Sequence, residues 1–479
     1  MPISLDESSR GELLALIVEQ SDVIDRLVAQ NEALAAQVAE LKRRLGLNST
    51  NSSKPPSSDG LAKPPPRSQR RASGRRAGKQ PGASGAALQQ VADPDEVVEH
   101  RPSACRGCRS DLADAEVVGS ARRQVFELPE IRRRVIEHRV LSCRCACGAV
   151  STAAAPTGVN APVQYGPGVI AVVVYLLVAQ HIPVKRVARV MADLLGCAVS
   201  TGWLDSCLKR TSTSLTGFRD HLREGLRRAG CVYFDETGMR VAGGLMWTHV
   251  ACTSLLTCYH LDAKRGQTAM DAHAILPALV APQVALHDGW MPYFKAGYSK
   301  ADHALCNAHH LRELDGWAET DPTRHAWATT LADLLREGNT FVNQAKIDGQ
   351  EQLLPDILHD LHRRWNKAVD DAYAANPPPT GKRRGPIRAL IDRMRGAVTE
   401  IWRFAHDFTV PFDNNQAERD IRMIKLQVKI SGGWRGEDGA RHWLRVREYI
   451  STAAKHGMHI LTALRDTITG SPWLPPLPE

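Results

Sequence analysis

Apolar residues recur through the first 45 positions at alternating steps of four and three. Placing Ile17, Ile24, Asn31, Val38 and Leu45 at one core position of a heptad puts Leu13, Leu27, Leu34 and Leu41 at the other, with Gln20 the exception. This stripe predicts a helix from Glu12 to Leu45. Its narrowness favours pairing with a second copy as a parallel coiled coil over packing on its own chain, and Asn31 in the seam would fix the register. Gly46 ends the pattern. The polar, serine- and proline-rich run from Asn48 to Asp59 holds too few apolar side chains to fold by itself.

Further along, the pattern changes several times. Residues Arg122 to Val140 read as strand between two cysteine groups, and Val169 to Val178 is an apolar run too short for a membrane span, which fits a buried helix. Two short helical patterns, Pro183 to Met191 and Ser200 to Leu208, flank a turn at Gly196, with Ser200 or Thr201 as a cap. That pair suits a helix-turn-helix, and equally a scaffold pair. From Gly230 short β-rich segments follow: Cys231 to Phe234, Met239 to Val241 and Met246 to His260, then a helical Gln267 to Val280 and a strand Val284 to His287.

Strands in quick succession, a helix, and another strand predict an α/β core of the ribonuclease H type, with a long helical insertion before Glu418. The expected order is a coiled-coil helix (1–46), a basic linker (47–96), a cysteine-rich module (97–155), a helical DNA-binding segment (165–228), the multidomain chain's catalytic core (229–450, insertion about 315–400), and a C-terminal helix and tail (451–479).

Charge narrows the choice of partner. The chain of 479 residues carries a net charge of +9. Much of that excess lies between Leu61 and Gln90, where Lys63, Arg67, Arg70, Arg71, Arg75, Arg76 and Lys79 occur with no acidic residue. A solvated linker and a phosphate-contacting strand are both compatible with this run. The N-terminus lacks the features of a secretory signal, so a cytoplasmic protein, associated with the nucleoid when bound to DNA, is expected, with no membrane partner. In a reducing compartment, Cys105 and Cys108 together with Cys143, Cys145 and Cys147 read as a zinc-ribbon-like module. Four of these five would bind one structural Zn2+.

Three acidic residues carry the candidate chemistry. Asp235 and Asp288 each close an apolar strand-like run, and Glu418 lies in the polar string Asp413-Asn414-Asn415-Gln416-Ala417-Glu418-Arg419. Carboxylates at buried strand ends are costly without cations. Three that converge can hold two Mg2+ or Mn2+ ions for phosphodiester chemistry. Glu236, Asp262 and Asp413 are the rival carboxylates, and Glu236 should face away from Asp235, since neighbours on a strand alternate. Arg419, Arg422, Lys425 and Lys429 recur along one helical face as a DNA-contacting surface, with Lys185 and Arg186 on the earlier helix pair. Trp434 could stack on a base or pack internally.

In this order, these features resemble the transposases of the insertion sequence 66 family. The linker Asn51-Ser52-Ser53-Lys54-Pro55-Pro56-Ser57-Ser58-Asp59 resembles that family's signature, as do Phe234-Asp235-Glu236-Thr237, Asp288-Gly289-Trp290 with Tyr293, and Asn414 to Arg419. Cys306-Asn307-Ala308-His309 with Arg312 is similar to the family's cysteine-histidine segment. His287 departs from it, standing where a small hydroxyl residue is more familiar. The resemblance implies a transposase with an Asp-Asp-Glu site. Such an enzyme binds terminal inverted repeats, joins 3′-hydroxyl ends to target DNA, acts as a homo-oligomer and works alongside small accessory proteins of the element. A DNA-binding regulator without catalysis would not need the three carboxylates, and a nuclease or resolvase would leave no joined product.

Overall fold

The computed structural model describes residues 10–46, 78–79, 82, 87–128, 131, 133–378 and 385–478. Arg70, Arg71, Arg75 and Arg76, and with them most of the basic linker, lie outside the described residues. The N-terminal pattern forms one helix, α1 (Arg10–Gly46). Its seam side chains Ile17, Ile24, Leu27, Leu34 and Leu41 are all more than half exposed, so the stripe is not spent on this chain's own core.

The cysteine-rich stretch contains a small antiparallel hairpin, β1 (Ser142–Arg144) and β2 (Val150–Thr152), with Cys143 opposite Ser151. Strand was expected over Arg122 to Val140, but the described residues there form none. Val125, Leu128, Val135 and Ile136 are exposed. The stretch has the composition of a strand without a neighbouring strand edge to pair with, and unpaired strands are not stable.

The helix pair forms where the pattern placed it. α2 (Pro167–Val174) runs into a π-helical turn at Tyr175–Ala179 and is followed by α3 (Val184–Leu195) and α4 (Thr201–Ser214). Gly196, with φ 61°, ends α3, and the Ser200 hydroxyl caps α4 by accepting the Trp203 N–H at 3.1 Å. α4 packs on α2, on α13 (Glu437–Lys455) and on α14 (Ile460–Ile468) as well as on α3. α5 (Thr216–Arg228) leads into the sheet.

Five strands build that sheet: β3 (Cys231–Val241), β4 (Gly244–Cys252), β5 (Thr257–Asp262), β6 (Val284–His287) and β7 (Asp302–Leu305), in the order β5-β4-β3-β6-β7. β3, β4 and β5 are antiparallel neighbours, whereas β6 and β7 run parallel to β3. Two corrections to the sequence reading follow. The expected breaks between Phe234 and Met239 do not occur, because β4 pairs with β3 continuously from Tyr233 to Val241. The expected helix over Gln267 to Val280 stops as α6 (Gln267–His273), where Ala274 turns left-handed at φ 60° and Pro277 cannot continue the ladder.

α2 to α5, the sheet, α12 (Asn415–Ser431), α13 and α14 share one apolar core, so the helical segment is not a separate body from the sheet. Phe218 of α5 meets Tyr449 of α13 edge-on at 4.9 Å. Glu448 of α13, fully buried, accepts the Tyr259 N–H at 3.1 Å and lies 3.4 Å from the Arg219 Nε. Burial raises its carboxyl pKa, and Arg219 opposes the rise. The boundary expected at residue 450 falls inside α13.

A second core belongs to five helices between the sheet and α12: α7 (Asn307–Thr320), α8 (Ala326–Ile347), α9 (Pro355–Ala375), α10 (Pro386–Gly396) and α11 (Val398–His406). Trp365 and Trp402, fully buried, meet at 90° with their ring centroids 5.5 Å apart. α8 can approach Trp402 only because position 338 is glycine: a Cβ there would lie 2.6 Å from the Trp402 ring. Gly338→Ala should therefore lower stability by about 1–3 kcal/mol, the range for overpacking a tight core. Thermal unfolding followed by tryptophan fluorescence checks this, and an unchanged midpoint would contradict the packing described.

Candidate active site

Parallel pairing of β3 with β6 sets the first two carboxylates. Tyr233 is in register with Leu286, so two residues further on Asp235 and Asp288 stand side by side where β6 ends. The alternation that buries Val232 and Phe234 builds this end of β3, and β6 is buried along its whole length. β7 continues the arrangement, with the Cys306 N–H donating to the His287 carbonyl at 2.9 Å before α7 begins.

The third carboxylate arrives on the first turn of α12. Asn414, just before that helix, is buried and holds three segments together. Its side-chain amide donates to the Phe234 carbonyl at 2.7 Å, its backbone N–H donates to Cys306 Sγ at 3.1 Å, and its carbonyl accepts the Glu418 N–H at 3.2 Å. Asp413, one of the rivals, caps the same helix by accepting the Asn415 N–H at 3.0 Å. The sequence reading missed the role of Asn414. The pair of asparagines preceding a helix was the available signal.

Electrostatics mark the place. The Asp235 carboxyl is pushed well above the ordinary carboxylate range, first by burial and then by Glu236, Asp288 and Glu418. Asp288 is raised by burial and Glu236, against the opposing Trp290 N–H, which donates to it at 2.9 Å. Glu236 lies close enough to raise both aspartates and has partners of its own. Its Oε1 accepts Arg265 Nη2 at 2.6 Å, its Oε2 accepts the Tyr293 hydroxyl at 2.7 Å, and its side chain is 2% exposed. Arg265 lies 4.0 Å from the Trp290 ring centroid and 5.0 Å from that of Trp247. Asp262 instead caps its own turn through the Lys264 N–H at 2.7 Å.

His287, the departure from the family pattern, has a structural explanation. It is fully buried and stacks on Tyr293 at 4.4 Å. Its Nδ1 accepts the Gly289 N–H at 3.0 Å, which leaves Nε2 protonated to donate to His303 Nδ1 at 3.0 Å. His303 then donates through Nε2 to the Tyr298 carbonyl at 3.2 Å. The chain of bonds fixes the loop that follows Asp288.

On the far side of Glu418 stands α7. Arg312 Nη2 donates to Glu418 Oε1 at 3.2 Å, and His309 Nε2 lies 3.9 Å from the same oxygen. One donor atom each from Cys306, His309 and Glu418 lie within 4.8 Å of one another.

The basic candidates divide between two helices. Arg419, Arg422 and Lys429 are exposed on α12 and Lys425 is half-buried, while Lys185 and Arg186 are exposed on α3. The segment just before α3 is tied to α12: His181 Nδ1 and Gln427 Oε1 are 3.1 Å apart, and the Ser431 hydroxyl donates to the His181 carbonyl at 2.8 Å. Trp434 packs. Its ring lies 5.5 Å from Trp443, and its backbone bonds to Arg240 and Ala242 at the β3–β4 turn.

Each end of the cysteine-rich module forms a tight turn. Arg109, at φ 61°, donates its N–H to the Cys105 carbonyl at 3.0 Å, and Gly148, at φ 90°, does the same to Cys145 at 2.8 Å. The Ser110 hydroxyl and backbone lower the Cys108 thiol to about 7, and Cys147 lowers Cys145. Cys105 thus meets Cys108 and Cys145 meets Cys147. Among the described residues no three of the five cysteines come together.

Among the described residues, no helix is long and apolar enough to cross a membrane. Residues 7–89 match a family of unknown function (DUF6444), which spans the seam helix and the basic linker. No curated protein matches the chain. The Transposase IS66 family matches residues 162–442, a span that contains Asp235, Asp288 and Glu418, the sheet and the helical insertion. That match covers more than half of the sequence, so the chain belongs to the IS66 family of transposases, which implies a DNA-modifying role, DNA as partner and a divalent metal.

Proposed function

We propose that the chain cuts the ends of an insertion element and joins the freed 3′-hydroxyls to target DNA, using Asp235, Asp288 and Glu418. One observation carries the reading: Asp235 and Asp288, 53 residues apart in sequence, stand side by side at one sheet end, where burial and then Glu236 raise both carboxyls, and Glu418, a further 130 residues on, adds to the rise at Asp235. Such a cluster is short of positive charge. Its hard oxygen donors fit Mg2+ or Mn2+, two per site, held by Asp235, Asp288 and Glu418. When bound, such ions activate water and stabilise a leaving oxygen.

The protein's own groups hold this site in shape and receive DNA. The strands fix both aspartates, and Asn414 fixes Glu418 against β3. The exposed arginines and lysine of α12 start one residue after Glu418 and offer contacts to phosphates flanking the scissile bond. Lys185 and Arg186 extend that surface over α3. Water attack at the element end releases a 3′-hydroxyl, and that hydroxyl displaces a target 3′-oxygen with no covalent protein intermediate. The antiparallel β5-β4-β3 run followed by parallel β6 and β7 supports a ribonuclease H-like assignment.

Two further parts complete the proposal. Cys105 with Cys108 and Cys145 with Cys147 each offer the paired thiols of half a four-thiolate site, and one structural Zn2+ would require the two turns to close on each other. The exposed seam of α1 fits a second copy of the chain, which would hold two element ends together.

Amides cannot supply the charge that two divalent ions require. Asp235→Asn, Asp288→Asn and Glu418→Gln should each reduce strand transfer by about a thousandfold or more, several kcal/mol of transition-state stabilisation, with folding intact. Joined product forming at near-normal rate in any of the three would remove that residue from the site.

The raised pKa values also make a linkage prediction. A carboxyl raised on folding favours the folded state while protonated, and this benefit is lost as pH climbs from the unfolded value near 4 through the folded one. Mg2+ or Mn2+ should therefore raise the melting temperature at pH 7–8, through about 2.7 kcal/mol of added stability at a hundredfold excess over Kd. The gain should shrink toward pH 5 and vanish in Asp235→Asn. A metal-independent melting temperature at neutral pH would contradict the site.

Leu27→Glu with Leu34→Glu should break the α1 seam and lower the mass seen by light scattering, leaving the melting of the core unchanged. An unaltered mass would mean that the copies associate through another surface.

A further inference from the structure

We propose that Cys306, His309 and Glu418 form a mixed-donor site for one borderline divalent cation of the Zn2+ class, with its fourth position open. The three donors lie within 4.8 Å of one another. Local structure brings them there: Cys306 follows β7 as the cap of α7, His309 is on the first turn of that helix, and Glu418 is on the first turn of α12. One helical turn separates the cysteine from the histidine.

Each donor is prepared for a cation. The sulfur of Cys306 is buried and accepts the Asn414 N–H at 3.1 Å, with the His309 backbone N–H also directed at it. Burial pushes this thiol up, against those two backbone donors, so the thiolate would form only as a cation displaces the proton. His309 keeps Nδ1 buried with no protein partner, and its Nε2 faces Glu418 Oε1 at 3.9 Å. Glu418 is a quarter exposed, so an oxygen remains open toward the site while Arg312 holds Oε1 at 3.2 Å.

The donor set determines the class of metal. Sulfur and imidazole select Zn2+, Co2+ or similar ions over Mg2+, which demands oxygen. Three protein ligands with one position left for water or a phosphate oxygen are the mark of a reactive rather than a structural zinc site. Cys306 binds as thiolate and gives its proton to solvent. Thiolate and carboxylate then balance the divalent charge, leaving the guanidinium of Arg312 as a net positive group beside the open position. This inference rests on the proposed function in one respect, the sharing of Glu418, which makes the cation a neighbour of the Asp235–Asp288 pair.

Cobalt titration of the full-length, metal-stripped chain tests it, with Co2+ as the probe and sulfur-to-cobalt charge-transfer absorbance as the readout. One equivalent should disappear in Cys306→Ser and in His309→Ala, each weakening Co2+ by at least about a hundredfold, beyond the effect of losing an outer partner. The same equivalent should persist in Cys105→Ser, which reports the separate cysteine module. Melting curves of both ligand variants confirm that they are folded, and His309→Ala, on the less buried ligand, serves if Cys306→Ser is not. Equal stoichiometry and spectrum in wild type, Cys306→Ser and His309→Ala would overturn the site. The equivalent should also survive in Asp235→Asn/Asp288→Asn. Its persistence in a wild-type protein that joins no DNA would support this site while defeating the proposed function, whereas normal joining with unchanged cobalt binding in Cys306→Ser would do the reverse.

Discussion

Asn414 has one side-chain amide and one backbone amide, and both are committed to holding together the end of the sheet that carries Asp235 and Asp288. The first reaches the Phe234 carbonyl, immediately before Asp235; the second reaches Cys306, immediately after β7. Its carbonyl then starts the ladder that carries Glu418. A hydrogen bond of this kind is worth about 1 kcal/mol net, yet leaving its buried partners unmatched costs about 1–3 kcal/mol each. The bond therefore does more to restrict where α12 can begin than to stabilise the fold, and the position of Glu418 follows from that restriction.

The remainder of α12 and α13 is tied to the sheet by charge buried within the shared core. Asp420 accepts Lys455 Nζ at 2.8 Å and the Thr257 hydroxyl at 3.0 Å, and Lys455 also donates to the Thr253 and Leu256 carbonyls at 2.8 Å. Breaking one partner of such a buried pair typically costs about 3–5 kcal/mol. The helix bearing Glu418 is thus fixed at its start by Asn414, along its length by Asp420, and at its end by Ser431 on the His181 carbonyl. A rigid support of this kind is what a site assembled from distant segments requires.

Much of this was legible in the sequence where the signal is local. The alternation before Asp235 and the Gly196 turn with its Ser200 cap follow from residue spacing, and the structure has both. The family signature rested on short motifs, and the match to residues 162–442 agrees with it. What escaped depends on partners far along the chain. β3 runs unbroken because β4 pairs with Thr237 and Gly238, and the described residues within 122–140 form no strand because no strand edge pairs with them. The roles of Asn414, of Arg265 between two indoles, and of His309 beside Glu418 involve contacts across 180, 18 to 25 and 109 positions. No periodicity within one element encodes such contacts.

The central claim is that Asn414 places Glu418 where it completes a cation site with Asp235 and Asp288. Calorimetric titration of Mn2+ into wild type and Asn414→Ala tests it most directly, because Asn414 is not one of the three proposed ligands. The variant should remain folded, as judged by its melting curve, and bind Mn2+ at least about tenfold more weakly, the loss typical of an outer partner that orients a ligand. Equal Mn2+ affinity in the two proteins would contradict the claim and leave the placement of Glu418 to some other contact.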